Sequence, residues 1–194
     1  MVGMRPAPGS LLIASAMLVD PNFARCVILV LDSDQNGSLG VILNRPSEVP
    51  VGEVLTAWQD VTSEPGVLFR GGPVELNAAL AVGSLRGESE DDLPPGWRPL
   101  AGARGTGSLG IVDLDQPPED FLGRLAALRV YAGYTGWGAQ QLDGEIAEAS
   151  WHVVAALPAD VFSSSPERLW GDVLRRQPPP LSMLATLPED ASLN

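Results

Sequence analysis

The sequence predicts an α+β fold in a single domain, and three observations lead to it. Short apolar runs, separated by Gly, Pro, Asn and Asp, recur along the 194 residues and have the composition of strands. Amphipathic segments with helical spacing lie between some of these runs but not between all of them. Because the two kinds of element do not alternate regularly, their order favours α+β over a doubly wound parallel sheet.

Six strands are predicted from the apolar runs. The first run begins SLLIASAML, and its three consecutive apolar residues, Leu11 to Ile13, are too few for the apolar region of a secretory signal. The predicted strands cover residues 10–18, 26–31, 38–43, 78–85, 108–114 and 151–157.

The stretch DSDQNG at 32–37 matches the first six positions of a calcium-binding EF-hand loop. That loop needs a bidentate Glu at its twelfth position, where this chain has Leu43, and two flanking helices, where this chain has strand-like runs. Asn36-Gly37 between apolar runs is a strong hairpin signal, in which Asp and Asn side chains bond to the turn backbone. The sequence therefore predicts a β-hairpin here rather than a calcium site.

Four segments have the spacing of amphipathic helices, which predicts three or four helices. They cover residues 51–58, 119–128, 138–150 and 167–176, the last preceded by Ser165 and Pro166 as N-cap and first helical residue. The predicted buried faces are Val54, Leu55 and Trp58; Phe121, Leu122, Leu125 and Leu128; Leu142, Ile146 and Ala149; and Leu169, Trp170, Val173 and Leu174.

The charge balance excludes several classes of protein. All 12 basic residues are arginines, against 24 acidic residues, and the net charge is −12. The lack of lysine excludes a pyridoxal phosphate Schiff base and a Walker A loop, and no cofactor is predicted. The acidic balance opposes direct binding to nucleic acid, whose affinity comes mostly from positive charge. Arg168, Arg175 and Arg176 form a small basic exception near one C-terminal helix.

Residues for nucleophilic or metal chemistry are scarce. The single His152 and the single Cys26 both lie in apolar runs, where a packed core residue is the favoured interpretation. The stretch GTGSLG at 105–110 matches a dinucleotide-binding pattern but leads into a predicted strand rather than a helix. The sequence leaves open whether the protein is an enzyme. General acid–base catalysis would have to use Asp, Glu, Arg, Tyr or backbone groups.

The expected organisation is one domain with short flanking segments. Residues 1–8 are expected to be a flexible N-terminus, 9–176 the domain, 177–194 a proline-broken, loosely packed tail, and 87–96 a mobile acidic loop. No apolar stretch reaches the ~20 residues of a membrane-spanning helix. Together with the lone cysteine, which suits a reducing compartment, this predicts a cytoplasmic protein without membrane contact.

Three stretches in combination are distinctive. They are GSLGVILNRP (37–46), VLFRGGPV (67–74) and YAGYTGWGAQQLDGEI (131–146), accompanied near the start by GSLLIAS and DPNF. In order and spacing, from about Gly9 to Arg176, they resemble the AlgH/YqgE family of small bacterial proteins. The resemblance implies an α+β domain whose bifurcated sheet forms a pseudo-barrel flanked by helices. The family has no established biochemical activity, and one lineage carries the label of a transcriptional regulator.

The same stretches supply the candidate binding residues. Arg45 ends a predicted strand and offers a planar fork suited to carboxylate or phosphate. The glycine-rich turns can bring backbone N–H groups or the rings of Tyr134 and Trp137 to a ligand. The candidate set is Asn44, Arg45, Gly71, Gly72, Pro73, Tyr134, Trp137 and Gln140.

Two interpretations of this set stay open. In the first, the residues form one recognition surface of a non-catalytic binding or regulatory module, for a small anion or a protein partner. In the second they are structural: the glycines fix turns, Trp137 fills the barrel mouth, and Arg45 pairs with Glu145 or another acid. A transcriptional regulator that acts indirectly, without contacting DNA, is the alternative that the family label suggests.

Overall fold

The computed structural model describes residues 6–87, 92–100 and 109–187, and these form ten strands and five short helices. The strands are β1 (Ser10–Ala14), β2 (Val27–Asp34), β3 (Gly37–Ile42), β4 (Pro46–Pro50), β5 (Val67–Arg70), β6 (Val74–Leu85), β7 (Trp97–Pro99), β8 (Leu109–Val112), β9 (Leu125–Gly138) and β10 (Trp151–Ala155). The helices are α1 (Val51–Val54), α2 (Gln141–Ala147), α3 (Pro158–Val161), α4 (Leu169–Arg175) and α5 (Leu181–Leu184), with 3₁₀ helices at Thr56–Val61, Pro118–Asp120 and Pro166–Arg168.

The described strands form one curled sheet with helices against it, so the predicted single-domain α+β fold is confirmed. The strand order is β10-β1-β2-β3-β9-β6-β8-β7, with β5 attached to β9 and β4 attached to β5. The pair β5–β9 is parallel, whereas the other described pairs are antiparallel. The predicted hairpin is also confirmed, because β2 and β3 meet at Asp34 and Gly37.

The sheet branches at β9, which belongs to both halves of the fold. Its last residues, 135–138, pair with β3, while 125–134 pair with β6. On the side opposite β6, Tyr131 and Ala132 pair with β5. One strand of 14 residues therefore joins the two arms of the sheet.

A close backbone contact holds the branch together. The N–H of Gly71 donates to the carbonyl of Ala132 in β9 (2.8 Å), and the Gly71 carbonyl accepts from the N–H of Ile42 in β3 (2.9 Å). A Cβ atom on Gly71 would lie 2.2 Å from the carbonyl oxygen of Gly133, which itself has a φ of +68°. Glycine is therefore required at these positions by the approach of one backbone to another.

The arm containing β1 and β2 is buried on both faces. Leu11, Ile13 and Leu29 pack towards α4, whereas Leu12 and Ile28 pack in a second cluster with Leu142 of α2 and other apolar side chains. Burial on both faces explains why these strands are continuous apolar runs rather than alternating ones. The face predicted for α4, Leu169, Trp170, Val173 and Leu174, is buried as expected.

The helix predicted over 119–128 is wrong. A 3₁₀ helix covers only Pro118–Asp120, Gly123 has a φ of +75°, and β9 begins at Leu125. Leu128 lies in the sheet opposite Gly83 of β6, while Leu122, assigned to the buried face, is 58% exposed. Pairing with β6 overrides a helical spacing that arose by coincidence.

Smaller differences concern the helix ends and the tail. The helix predicted over 51–58 is divided into α1 and the 3₁₀ helix Thr56–Val61, so Trp58 is buried but Val54 is exposed. The tail, expected to pack loosely, contributes α5, whose Leu181 and Leu184 pack against the main core. Strands β4, β5, β7 and β9 have no counterpart among the six predicted strands. Residues 101–108, which hold most of GTGSLG, and residues 88–91 of the acidic loop lie outside the described residues.

Replacing Gly71 by Ala should destabilise the protein strongly. The new methyl group would collide with the backbone of Gly133, which cannot move without disturbing β9. We expect the free energy of unfolding to fall by about 3 kcal/mol, as measured by urea denaturation. In the control Gly144→Ala, within α2, no atom lies within 4 Å of the new methyl group. That variant should gain about 0.5–1 kcal/mol through helix propensity. Equal stability of the two variants would contradict the close contact at the branch.

Candidate functional site

Asn44, two residues after β3, fixes the end of the loop between β1 and β2 by hydrogen bonds. Its side-chain oxygen accepts from the N–H of Val27 (2.9 Å), and its amide nitrogen donates to the carbonyl of Arg25 (2.9 Å). The side chain is buried and both ends of its amide are satisfied. Asn44 therefore fixes the backbone of the neighbouring loop through both ends of its amide.

Arg45, the next residue, is half-buried and has only backbone partners. Its guanidinium donates to the carbonyl of Ala24 and, at 3.3 Å, to the carbonyl of Asn44. Within the described ranges no carboxylate pairs with it. The alternative in which Arg45 pairs with Glu145 is wrong, because Glu145 has other partners. Among the residues that the structure describes, no acid therefore neutralises the positive charge of Arg45.

A cleft of about 530 Å³ opens beside Arg45, and Arg70 lies in its wall. Arg70 follows the buried Phe69 at the end of β5, is exposed, and its N–H donates to the Arg45 carbonyl (2.8 Å). We call this the Arg45–Arg70 cleft. Its lining is Pro21, Asn22, Ile42, Arg45, Ser47, Val49, Leu68, Phe69, Arg70, Gly72, Pro73, Leu76 and Ala132.

Three of the predicted candidates, Arg45, Gly72 and Pro73, meet in this cleft. Gly71 lies next to them but is occupied by its contacts with β3 and β9. Arg70 was not among the predicted candidates. The signal for it was the one used for Arg45, an arginine at the end of an apolar strand.

Trp137 lies elsewhere, in a buried polar contact that fixes α2 to the sheet. The carboxylate of Glu145 in α2 accepts from the indole N–H of Trp137 (2.9 Å) and from that of Trp151 (2.8 Å). The same carboxylate accepts from the side chain of Gln141 (3.0 Å), and the two indole rings pack edge to face with centroids 5.9 Å apart. One carboxylate therefore joins β9, β10 and α2.

Tyr134 and Gln140 do not line the Arg45–Arg70 cleft either. Tyr134 is half-buried and packs against the main core. Gln140 is exposed just before α2 and adopts a left-handed backbone conformation (φ 63°), without a side-chain cap bond. The predicted set is therefore dispersed. Arg45, Gly72 and Pro73 line the cleft, Trp137 and Gln140 lie at α2, and Tyr134 packs against the main core.

Cys26, considered as a nucleophile, lies just before β2, and His152, considered as a base, lies in β10. Cys26 is fully buried, and burial raises the pKa of its thiol to about 12. His152 lies in β10 opposite Ile13, and partial burial lowers its pKa because the charged form loses solvation. Neither lines the Arg45–Arg70 cleft.

Two kinds of feature are absent from the described ranges. No group of three or more His, Cys, Asp or Glu side chains there has an arrangement that could hold a metal ion. None of the helices there combines the length and apolar character needed to cross a membrane.

Glu145→Gln should destabilise the protein by about 1–3 kcal/mol. The two indoles share Oε2, so they would donate to a neutral amide oxygen instead of a carboxylate, and the amide nitrogen in place of Oε1 would face the Gln141 donor. Urea denaturation followed by tryptophan fluorescence measures the change. The matched variant Glu148→Gln alters an exposed side chain on the same segment and should change stability by less than about 0.5 kcal/mol. Similar losses in both variants would show that the carboxylate does not tie the indoles together.

Cys26 should be inert to thiol reagents in the folded protein, because it is buried and remains protonated at neutral pH. We expect no reaction with a disulfide reagent such as DTNB over minutes at pH 8, and one thiol per chain after addition of denaturant. Rapid labelling of the native protein would contradict the burial of this residue.

Comparison with known proteins identifies the family. The AlgH-like family model matches residues 11–182. A UPF0301 protein of Streptomyces avermitilis is 52% identical over 187 residues, which cover 96% of this chain and 94% of the relative. The crystal structure of a Corynebacterium diphtheriae protein superposes with a TM-score of 0.88 at 33% identity, covering 96% of this chain and 95% of the other. The solution structure of the AlgH protein from Pseudomonas aeruginosa shares the fold, with a TM-score of 0.65 at 24% identity over 98% and 99% of the two chains. This chain belongs to the AlgH-like family.

Proposed function

We propose that the protein is a non-catalytic binding module that recognises a small anion with an apolar body in the Arg45–Arg70 cleft. The observation that carries the proposal is the charge of the lining, which contains two arginines and no acidic residue. In a chain with a net charge of −12, a cleft of this sign is an exception. An anion repelled by most of the surface would be attracted there.

The two arginines are well placed for this role. Arg45 is held by the Ala24 and Asn44 carbonyls, so its orientation is fixed before a ligand arrives. Arg70 is exposed and, within the described ranges, makes no side-chain hydrogen bond or ion pair. Charge-assisted hydrogen bonds from such side chains to a carboxylate or phosphate are stronger than neutral ones.

The rest of the lining is mainly apolar. Ile42 and Phe69 are buried side chains of the lining, while Val49 and Leu76 are 40% and 63% exposed. Leu76 lies in a four-residue bulge of β6, between Val74 and Ala79, opposite Gly133. Exposed apolar side chains beside two cations suit a ligand that has both an anionic group and a hydrocarbon portion.

Binding is favoured over catalysis because the lining lacks Asp, Glu, His and Cys side chains. General acid–base chemistry at neutral pH relies most often on such groups. A regulatory role, if exerted through this cleft, would pass through the bound ligand or an anionic group of a partner protein rather than through DNA, given the net charge.

The proposal is tested by calorimetric or NMR titration with octanoate, which has one carboxylate and a short apolar chain. Arg70→Gln should weaken octanoate binding about tenfold, as expected for a lost hydrogen bond between charged groups. Octanol and acetate, which each lack one half of the ligand, should bind more weakly than octanoate.

Arg98→Gln provides the matched control. Arg98 forms an exposed ion pair with Asp32 (3.7 Å) and does not line the cleft, so this variant changes the net charge equally without touching the cleft. It should bind octanoate like the unmodified protein. Undetectable octanoate binding, or equal effects of the two variants, would rule out the proposed function.

A further inference from the structure

A second cleft, of about 510 Å³, lies on the other side of Arg45, against α4. Its wall is formed by the β1–β2 loop, the turn after β3, the start of α4 and the segment after α5. We call it the Trp170 cleft. Its lining is Ala24, Arg25, Asn44, Arg45, Glu167, Arg168, Trp170, Gly171, Arg175, Ala185 and Leu187.

We propose that the Trp170 cleft is a binding site for a small ligand that carries phosphate. This site is separate from the proposed function and shares only Arg45 with it. The lining contains four arginines and one acid, Glu167, although the chain as a whole has twice as many acidic as basic residues. A concentration of positive charge that opposes the sign of the whole protein favours a multiply charged anion.

Contacts with Asn44, Trp170 and Leu187 hold Arg25 in place before any ligand binds. Its backbone adopts a left-handed conformation (φ 53°), which non-glycine residues rarely do, and its carbonyl accepts from Asn44. Its guanidinium lies over the ring of Trp170, 4.4 Å from the centroid, and donates to the Leu187 carbonyl (3.0 Å). A residue held in a costly conformation by its surroundings is a common feature of binding sites.

Trp170 is a rigid platform for this guanidinium. The indole is buried and its N–H donates to the carbonyl of Ala14 (2.9 Å), so the ring cannot rotate without losing a buried hydrogen bond. Stacking on this fixed ring holds the positive charge of Arg25 at the wall of the Trp170 cleft.

The remaining arginines come from different elements. Arg45 has only backbone partners, and Arg168 makes no ion pair or side-chain hydrogen bond within the described ranges. Arg175 pairs with Asp172, both exposed, while Arg176 pairs with the buried Asp160 and lies outside the lining. Arg45 from the turn after β3 and Arg168 from the segment before α4 can donate to one anion from two different elements, which suits the several oxygens of a phosphate.

The ligand class differs from that of the Arg45–Arg70 cleft. Apolar side chains dominate the lining there, beside two arginines, whereas here the four arginines are accompanied by few apolar side chains. The volume of about 510 Å³ suits a small molecule rather than a flat macromolecular surface.

The test is calorimetric titration with inorganic pyrophosphate at constant ionic strength. We expect binding of one pyrophosphate per chain, weakened about tenfold by Arg168→Gln and less by Arg168→Lys, which keeps the charge but loses the fork. Arg70→Gln and Arg98→Gln remove the same charge outside the Trp170 cleft and should change pyrophosphate affinity less than about twofold. Arg168→Gln should leave octanoate binding unchanged, so the two clefts can fail or succeed separately.

Three results would overturn the inference. The first is the absence of pyrophosphate binding, and the second is an equal loss in Arg168→Gln and Arg98→Gln, which would reflect only the net charge. The third is Arg168-dependent binding of vesicles that contain phosphatidic acid without binding of pyrophosphate. The phosphate would then belong to a lipid surface rather than to a small ligand. Far-ultraviolet circular dichroism should confirm that each variant is folded, as expected for exposed side chains.

Discussion

The close backbone contact between Gly71 and β9 is the constraint on which the architecture depends. Gly71 donates to β9 and accepts from β3, so this residue without a side chain reinforces the junction that β9 makes between the two arms of the sheet. The same contact sets the distance between the turn after β3 and the end of β5, where the Arg70 N–H donates to the Arg45 carbonyl. Two cations are therefore brought together by backbone hydrogen bonds, in spite of their mutual repulsion. A cleft built in this way needs no conformational change to present its charge.

A second constraint acts near the C-terminal end of β9, where Glu145 accepts from the indoles of Trp137 and Trp151. A carboxylate that is surrounded by three donors is well satisfied in a partly buried site, and its loss would leave the donors without partners. Much of the glycine- and tryptophan-containing stretch from Tyr134 to Glu145 thus has a structural explanation. The residues of the turn after β3 are different, because Asn44 fixes the backbone of the loop while Arg45 keeps its charge available. Under the proposed function, adjacent residues of one short stretch would serve structure and recognition separately.

The sequence predicted those elements whose local pattern and tertiary environment agree. The strands around Leu29 and Val41, the hairpin at Asn36-Gly37 and the buried face of α4 are examples. The longest strand, β9, was not predicted, because its first residues have helical spacing and its later ones are rich in glycine. Its conformation is imposed by pairing with three strands distant in sequence, which local pattern does not reveal. Arg70 carried the same local signal as Arg45, an arginine at the end of an apolar strand, but only the pairing of β5 with β4 and β9 shows that it shares a cleft with Arg45. The separation of Trp137 from Arg45 likewise depends on the course of β9.

Arg45 lies in the wall between the two clefts, and this position has a thermodynamic consequence. A single guanidinium has a fixed set of donors, two of which already serve the Ala24 and Asn44 carbonyls. An anion bound in one cleft that accepts from the remaining Arg45 donors leaves fewer donors for an anion in the other cleft. Its negative charge also offsets the charge of Arg45 that the second anion would meet. Occupancy of either cleft would then alter the affinity of the other by the same factor, since linkage between two sites is reciprocal. In that case the short Asn44-Arg45-Pro46 turn would be the point at which two ligands compete for one positive charge.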